Sequence, residues 1–229
     1  MSCLNGENAQ LPLNFCSMTE NLWYTKRQKE GGIMCGRYTF SVESDSKMIR
    51  QVQRSLEARN IEVKTGVVNP GDVAAVIASN RQLEPQVFGM KWGYGLPNGK
   101  LVFNARSETA AEKALFADGM KQRRCLIPAD SYFEWEHSEN KKQKYELAPN
   151  ESDGFCLAGI YRTEQGRAVF SILTREPAES ISFIHDRMPV ILPTAAAEDW
   201  LNPRYHGQEL LKYAVQNMGY TRCEANRDP

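Results

Sequence analysis

The sequence predicts a single α+β domain with a largely antiparallel sheet. From about residue 123 to residue 174, short runs rich in β-branched and aromatic residues follow one another closely, with turn residues between them. Helical periodicity is confined to a few segments, and we find no internal repeat and no linker from Met34 onward. Closely spaced strands joined by short turns favour antiparallel pairing.

Residues 1–33 differ in character from the rest of the chain. They are mixed polar residues without a sustained hydrophobic period, and they end in Lys26-Arg27-Gln28-Lys29-Glu30-Gly31-Gly32. This composition predicts a disordered leader. Two other interpretations stay open: a propeptide that is removed, or an untranslated leader read as protein, with the true start at Met34. The predicted division is therefore 1–33 and a domain at 34–229.

Each element after Met34 follows from a local pattern. Met48, Val52 and Leu56 recur at i, i+4 and i+8 and predict an amphipathic helix from Ser44 to Arg59. An Ala-rich helix capped by Ser107 or Thr109 is predicted to run to about Phe116. Further helices are predicted over 178–184, 194–200 and 208–216. Strands are predicted over 37–40, 73–78, 86–92, 101–104, 123–127, 132–136, 144–147, 155–162, 167–174 and 190–192.

Charge and cysteine content exclude several classes of protein. Lysine and arginine together number 28, as do aspartate and glutamate, so the formal net charge is zero. This argues against strong sequence-blind binding to long duplex DNA, which relies on a large positive excess. The six cysteines are widely spaced and form no C-x-x-C pair, so neither a zinc site nor a disulfide framework is predicted. Without a membrane-spanning run or a signal peptide, the expected location is cytoplasmic.

Cys35 carries the most distinctive chemistry if the chain is trimmed after Met34. It would then combine a free α-amine with a thiol on adjacent carbons, a pair that converts an aldehyde into a five-membered thiazolidine. At pH 7 the neutral α-amine is about 400-fold more populated than that of a lysine. The alternative from sequence is a buried structural cysteine.

Three other polar residues are candidates for proton transfer or orientation. Glu134 lies in an alternating strand between Phe133 and Trp135, where it is either a solvated strand acid or a desolvated acid–base group. His185 follows a short apolar segment and is either a packed histidine or a proton shuttle. Asn104 ends a strand and is either a turn residue or an amide that orients a reacting group.

Basic and aromatic residues supply possible nucleic-acid contacts. They are Lys91, Trp92, Arg123, Arg124, Trp135 and Arg187. Together they provide phosphate ligands and stacking faces for unpaired bases. Spacing alone does not distinguish this set from a solvated surface with core aromatics.

Six phrases occur in an order that resembles the SOS-response-associated peptidase family. They are Met34-Cys35-Gly36-Arg37, Trp92-Gly93, Asn104-Ala105-Arg106-Ser107-Glu108-Thr109, Arg124-Cys125-Leu126-Ile127-Pro128-Ala129-Asp130, Tyr132-Phe133-Glu134-Trp135 and His185-Asp186-Arg187-Met188-Pro189. They cover nearly the whole span 34–229. The resemblance implies a single α+β domain around a curved, partly barrel-like, mainly antiparallel sheet with flanking helices.

The resemblance also implies a function, namely covalent trapping of abasic sites in single-stranded DNA through an N-terminal cysteine. It places the nucleophile on Cys35, the orienting amide on Asn104, the carboxylate on Glu134 and the histidine on His185. It places DNA contacts on Arg37, Trp92, Arg106, Trp135 and Arg187. The expected partner is abasic single-stranded DNA, with no cofactor, no metal, no membrane and a monomeric protein.

The sequence departs from the family pattern at three places and is compatible with two other functions. Cys35 is internal in this sequence, Gly93-Tyr94-Gly95-Leu96-Pro97 is longer than the family's usual loop, and Ser131 stands where glycine is common. One alternative function is a thiol peptidase that releases its own leader between Met34 and Cys35, with a possible lyase activity. The other is a non-catalytic module that binds single-stranded DNA.

Overall fold

A computed structural model describes residues 36–138 and 141–224. The strands in these ranges are β1 (Arg37–Phe40), β2 (Gly66–Val68), β3 (Val73–Ser79), β4 (Pro85–Trp92), β5 (Tyr94–Gly95), β6 (Leu101–Val102), β7 (Asn104–Arg106), β8 (Arg124–Ala129), β9 (Ser131–Ser138), β10 (Lys141–Pro149), β11 (Phe155–Glu164), β12 (Arg167–Arg175), β13 (Met188–Pro189), β14 (Ile191–Leu192) and β15 (Met218–Arg222). The α-helices are α1 (Lys47–Ala58), α2 (Ala117–Gln122), α3 (Thr194–Leu201) and α4 (Gly207–Leu210).

Five strands form a closed barrel. β3 pairs with β4 and β8, β8 pairs with β11, β11 pairs with β12, and β12 returns to β4. All of these pairings are antiparallel except β12 with β4, where Val169 lies opposite Lys91. This circuit confirms the predicted α+β fold with a curved, barrel-like and mainly antiparallel sheet.

Three short strands extend the barrel sheet near its rim. β7 pairs in parallel with β12, so that Asn104 lies opposite Ile172. β13 pairs with the last residues of β12, and β14 pairs with the beginning of β11. The chain segments around Asn104 and Met188 are thereby attached to the same strand of the barrel.

A second sheet has the strand order β15-β10-β9-β1-β2 and is antiparallel throughout. Tyr38 of β1 lies opposite Tyr132 of β9, and both side chains are buried. The Tyr38 ring lies 5.3 Å from the ring of Trp92, which in turn stacks on Phe170 with an interplanar angle of 7°. These aromatic contacts join the second sheet to the core of the barrel.

The helix predicted over 44–59 is confirmed, with its start at Lys47. The Ser46 hydroxyl accepts a hydrogen bond from the backbone N–H of Ile49 at 3.3 Å, which satisfies one of the unpaired N–H groups at the helix start. Ile49, Val52 and Leu56 form the buried face. Burying side chains of this size stabilises the fold by about 1.5–3 kcal/mol each, more than the cap contributes.

Three helix predictions were wrong in extent. The helix predicted over 178–184 is a 3-10 turn over Glu179–Ile181. The segment 107–116 forms successive turns, and the helix begins only at Ala117, because Ala110 is drawn into the core and its neighbours follow irregular backbone. The helix predicted over 208–216 ends at Leu210 and continues as a 3-10 turn over Leu211–Tyr213. β15, which sequence periodicity did not indicate, follows and becomes an edge strand.

The described residues after Gly36 belong to one compact unit that spans 34–229. None of the helices in this part of the chain has both the length and the apolar character that a membrane crossing needs. The predicted leader, residues 1–33, lies outside the described residues.

Candidate active site

Glu134 lies on the buried face of the second sheet. The register places it opposite Tyr145, with Tyr132 and Tyr38 on the same face, and Glu134 is only 2% exposed. Phe133 and Trp135 alternate onto the other face, as the sequence predicts. The interpretation of Glu134 as a solvated strand acid is therefore wrong, because the face that carries the acid is the covered one.

Asn104 is the first residue of β7 and is 1% exposed. The backbone on either side of it is fixed, since the Phe103 carbonyl accepts a hydrogen bond from the Trp92 indole N–H at 2.9 Å and Ile172 pairs with Asn104 across the sheet. A turn residue would occupy an exposed bend. The structure instead gives Asn104 a buried amide held on a paired strand.

His185 follows a 3-10 turn over Glu179–Ile181, and its side chain is 7% exposed. Its Nδ1 lies 3.0 Å from the backbone nitrogen of Arg187 and 2.9 Å from Oδ1 of Asp186. Nδ1 cannot accept from the first and donate to the second at once. The Asp186 side chain is 83% exposed. When Nδ1 accepts the hydrogen bond from the Arg187 N–H, the neutral ring carries its proton on Nε2.

The segments that carry these three residues are neighbours. Tyr145, opposite Glu134, contacts the ring of Phe183, two residues before His185, with centroids 5.9 Å apart. Thr174 of β12 pairs with Arg106 on one side and with Pro189 on the other. β7, β9 and the segment 183–189 are thus brought to one region by long-range pairing.

Arg187 joins two of these segments. Its guanidinium makes a bidentate ion pair with Glu108, with both N–O distances 2.8 Å, and donates to the Thr174 carbonyl at 2.7 Å. Arg187 is 8% exposed and its charge is committed to Glu108. The residue therefore positions the segment that carries His185, and its DNA contact stays a prediction.

The pair shifts the titration of Glu108. Partial burial alone would raise the pKa of Glu108, but the hydrogen bond from Arg187 and the charges of Arg187 and Arg106 outweigh burial, so the pKa is lowered. Because the folded pKa is below the unfolded one, near 4.3, the pair stabilises the fold above that pH. This stabilisation is lost as the pH falls through the folded pKa.

Replacing Glu108 by glutamine is expected to lower the free energy of unfolding at pH 7 by about 1–3 kcal/mol, since Arg187 loses a charged partner while staying buried. Thermal melts of wild type and Glu108→Gln at pH 7 and at pH 3 measure this. The difference should shrink at pH 3. An equal difference at both pH values would contradict the assigned ion pair.

Arg37 and Trp135 lie on the face of the sheet opposite to Glu134. The Arg37 guanidinium carbon is 5.2 Å from the centre of the Trp135 ring system, and the Lys144 ammonium is 4.4 Å from the centre of Phe133. Lys144 was missed by the sequence analysis, and only its register opposite Trp135 reveals it. The structure does not bring Arg37 and Trp135 onto the Glu134 face, so their DNA contacts stay predictions.

Trp92 is wrong as a DNA-stacking residue. It is fully buried, its indole N–H is used by Phe103, and its ring is covered by Phe170 and Tyr38. Arg106, by contrast, is exposed at the end of β7 and stays a candidate phosphate contact. Cys35, the predicted nucleophile, lies outside the described residues.

Two of the three departures from the family pattern lie in described residues. Gly93 precedes β5 of a hairpin with β6 and has φ of +112°, a conformation that favours glycine, and the Gly95 N–H donates to the Glu164 carboxylate at 3.1 Å. Ser131 places its hydroxyl 2.6 Å from Oε1 of Glu146. Neither departure alters Asn104, Glu134 or His185.

In the described ranges, 36–138 and 141–224, no group of three or more His, Cys, Asp or Glu side chains converges on a point where a metal ion could bind. Cys125 and Cys156 are the described cysteines with the strongest shifts: burial raises the pKa of Cys156 to about 12 and raises that of Cys125 further. Both thiols are therefore protonated at neutral pH and are poor nucleophiles.

Comparison with known proteins agrees with the arrangement of these motifs. Residues 34–226 match the family described as SOS response associated peptidase (SRAP). The chain is 32% identical over 204 residues to the abasic site processing protein YoqW of Bacillus subtilis, covering 84% of this chain and 91% of that protein. It is 27% identical over 191 residues to the abasic site processing protein YedK of Escherichia coli, covering 80% and 86%.

A crystal structure of a Bacteroides thetaiotaomicron protein superposes with a TM-score of 0.68 at 25% identity and covers 84% of this chain and 93% of that one. The family match spans both sheets and every described motif segment. The chain therefore belongs to the SOS response associated peptidase (SRAP) family.

Proposed function

We propose that this protein processes abasic sites by trapping their aldehyde covalently on Cys35 in single-stranded DNA. The observation that carries the proposal is the meeting of three sequence-distant segments, each with a buried polar residue: Asn104, Glu134 and His185. Family membership and the printed function of relatives such as YoqW support it. Buried ionisable groups that the fold gathers in one region are candidates for a functional site.

The reaction needs only the aldehyde and an N-terminal cysteine. The α-amine adds to the aldehyde carbon of the ring-opened abasic sugar and gives a carbinolamine, which loses water to form an imine. The Cys35 thiol then adds across the imine carbon and closes the thiazolidine. One water leaves overall, and no oxidant or cofactor enters the balance.

The buried residues have distinct roles in this proposal. Glu134 accepts a proton from the attacking amine and returns one to the departing hydroxyl. His185 donates the proton on Nε2 to the sugar oxygen as the ring opens, since Nδ1 accepts a hydrogen bond from the Arg187 backbone N–H. The Asn104 amide orients the thiol for closure. Arg106, exposed beside Asn104, contacts the phosphate backbone.

A second candidate is a thiol peptidase that cleaves its own chain between Met34 and Cys35. The family description, which names a peptidase, favours it. The two functions can follow one another, because cleavage at that bond would create the α-amine that the trap requires.

The mature, active protein is expected to begin at Cys35. A peptide-bonded nitrogen has no lone pair available for imine formation, so the thiazolidine cannot form on an internal cysteine. Intact mass spectrometry of natively expressed, crosslinking-competent protein measures this directly. A mass that retains residues 1–34 in fully active protein would rule out the proposed chemistry.

A further inference from the structure

Three aromatic side chains outside the proposed catalytic set form a cluster at the surface: Tyr145, Phe183 and Tyr220. Their ring centroids are 5.2–5.9 Å apart and each pair meets edge to face, at 72–90°. Tyr145 is buried, whereas Phe183 and Tyr220 are each 50% exposed. We refer to Phe183 and Tyr220 as the aromatic corner.

The corner leaves ring surface uncovered. An edge-to-face contact covers the face of only one of the two rings that make it. With 72° between the planes of Phe183 and Tyr220, a flat ligand can lie on one ring and touch the edge of the other. Exposed aromatic rings that form a contiguous patch are candidates for a binding surface.

The corner is continuous with the proposed active site. Tyr145 pairs with Glu134 on one side and with Arg222 on the other, so the face that is buried at Glu134 emerges at the edge strand β15, which also carries Tyr220. Phe183 is two residues before His185. The Ser180 hydroxyl donates to the Met218 carbonyl at 2.9 Å and ties this segment to β15.

The hydrogen bond from the Tyr145 hydroxyl to Glu136, at 2.8 Å, fixes the buried ring that supports the corner. That hydrogen bond, with burial and the charge of Glu136, raises the pKa of Tyr145, so the hydroxyl stays protonated and keeps donating at neutral pH. The Tyr145 ring behind Phe183 and Tyr220 is therefore anchored at its hydroxyl by Glu136.

Charge near the corner favours a nucleic acid at one side only. Arg222 is exposed on the same sheet face, whereas Asp186 is exposed beside His185. A phosphate is attracted to Arg222 and repelled by Asp186 and by Glu136, which lies across Tyr145 on the β9 side. The strand is therefore expected to pass over Tyr220 and Arg222 as it leaves the site.

We infer that the aromatic corner binds one unpaired nucleobase, the neighbour of the abasic nucleotide. The inference rests on the proposed function. An abasic nucleotide has no base, so its neighbour lacks a stacking partner on one side, and a protein ring placed next to the reaction site replaces it. Every base has a π-face, so this contact tolerates any sequence.

Binding of a single-stranded oligonucleotide with one tetrahydrofuran abasic analogue tests the corner without crosslinking, since this analogue has no aldehyde. Phe183→Ala and Tyr220→Ala should each weaken binding. Loss of the ring that the base covers should weaken binding by about 5- to 150-fold. Tyr220→Phe, which keeps the ring, should bind as wild type. Tyr205→Ala removes an equally exposed tyrosine elsewhere and should also bind as wild type.

A fluorescent base reports stacking itself. With 2-aminopurine next to the analogue, wild type should quench the emission, and Phe183→Ala with Tyr220→Ala together should restore it. Phe183→Leu keeps apolar area without a π-face and should stay weak. Wild-type affinity and quenching in the double variant would overturn the corner alone, whereas failure of wild type to bind or crosslink abasic single strands would overturn the proposed function with it.

Discussion

Replacing Cys35 by alanine is expected to abolish the heat-stable covalent adduct with abasic single-stranded DNA while sparing most of the non-covalent affinity. Alanine keeps the α-amine but removes the thiol that closes the ring. Without closure the product is at most an imine, which water reverses on denaturation. Denaturing electrophoresis and intact mass of the adduct measure the loss.

Cys35→Ser provides the matched control. Its amine still forms the imine, which borohydride reduces to a stable secondary amine, so a trapped adduct should appear only when the reductant is present. Both variants must be shown by mass to begin at residue 35. A denaturation-resistant adduct in Cys35→Ala without reductant would place the nucleophile on another residue.

Substitution of Glu134 by glutamine is expected to slow crosslinking by a factor of about 10²–10⁴, the usual contribution of a positioned general acid or base. The reason is its burial: at 2% exposure, Glu134 has little access to solvent protons, so water cannot readily replace it. His185→Ala should fall in the same range. The mass added to the protein on crosslinking should be unchanged in both, because neither residue forms a covalent bond to the DNA. Single-turnover crosslinking at saturating protein measures these rates.

Glu136→Gln is the matched control for Glu134. Glu136 lies two residues along the same strand on the same face, and its carboxylate accepts a hydrogen bond from Tyr145. Removing its charge therefore tests for general disturbance of the sheet. Its crosslinking rate should stay close to wild type. Arg106→Ala should instead weaken binding and reduce the salt slope by about one. Wild-type rates in both Glu134→Gln and His185→Ala would leave these residues with structural roles only.

Helix α1 and the barrel strands were predictable because each has a local signal. The repeat of Val52 and Leu56 within α1 and the short apolar runs of β3, β11 and β12 reflect faces that any packing must cover. The segment 107–116 was not predictable. Its alanines favour a helix locally, yet burial of Ala110 and the attachment of Ser107 to the Thr174 carbonyl at 2.8 Å impose turns.

The candidate site was likewise predictable only in part. Alternation along β9 determined that Glu134 shares a face with Tyr132 and not with Trp135. It could not determine which face is covered, because a period of two is identical for either side of a sheet. Pairing of β9 with β1 and β10, and the contacts from Tyr145 to Phe183, made that choice.

By itself the sequence determined the motifs, their order, the α+β class and the residue types available for chemistry. Only the tertiary structure decided that Trp92 belongs to the core, that Arg187 is neutralised by Glu108, and that Tyr220 meets Phe183 beside His185. These outcomes depend on contacts between residues many positions apart in the chain. A local pattern indicates which chemistry a side chain can perform. Its burial and its partners are determined by strands and turns that are distant in the sequence.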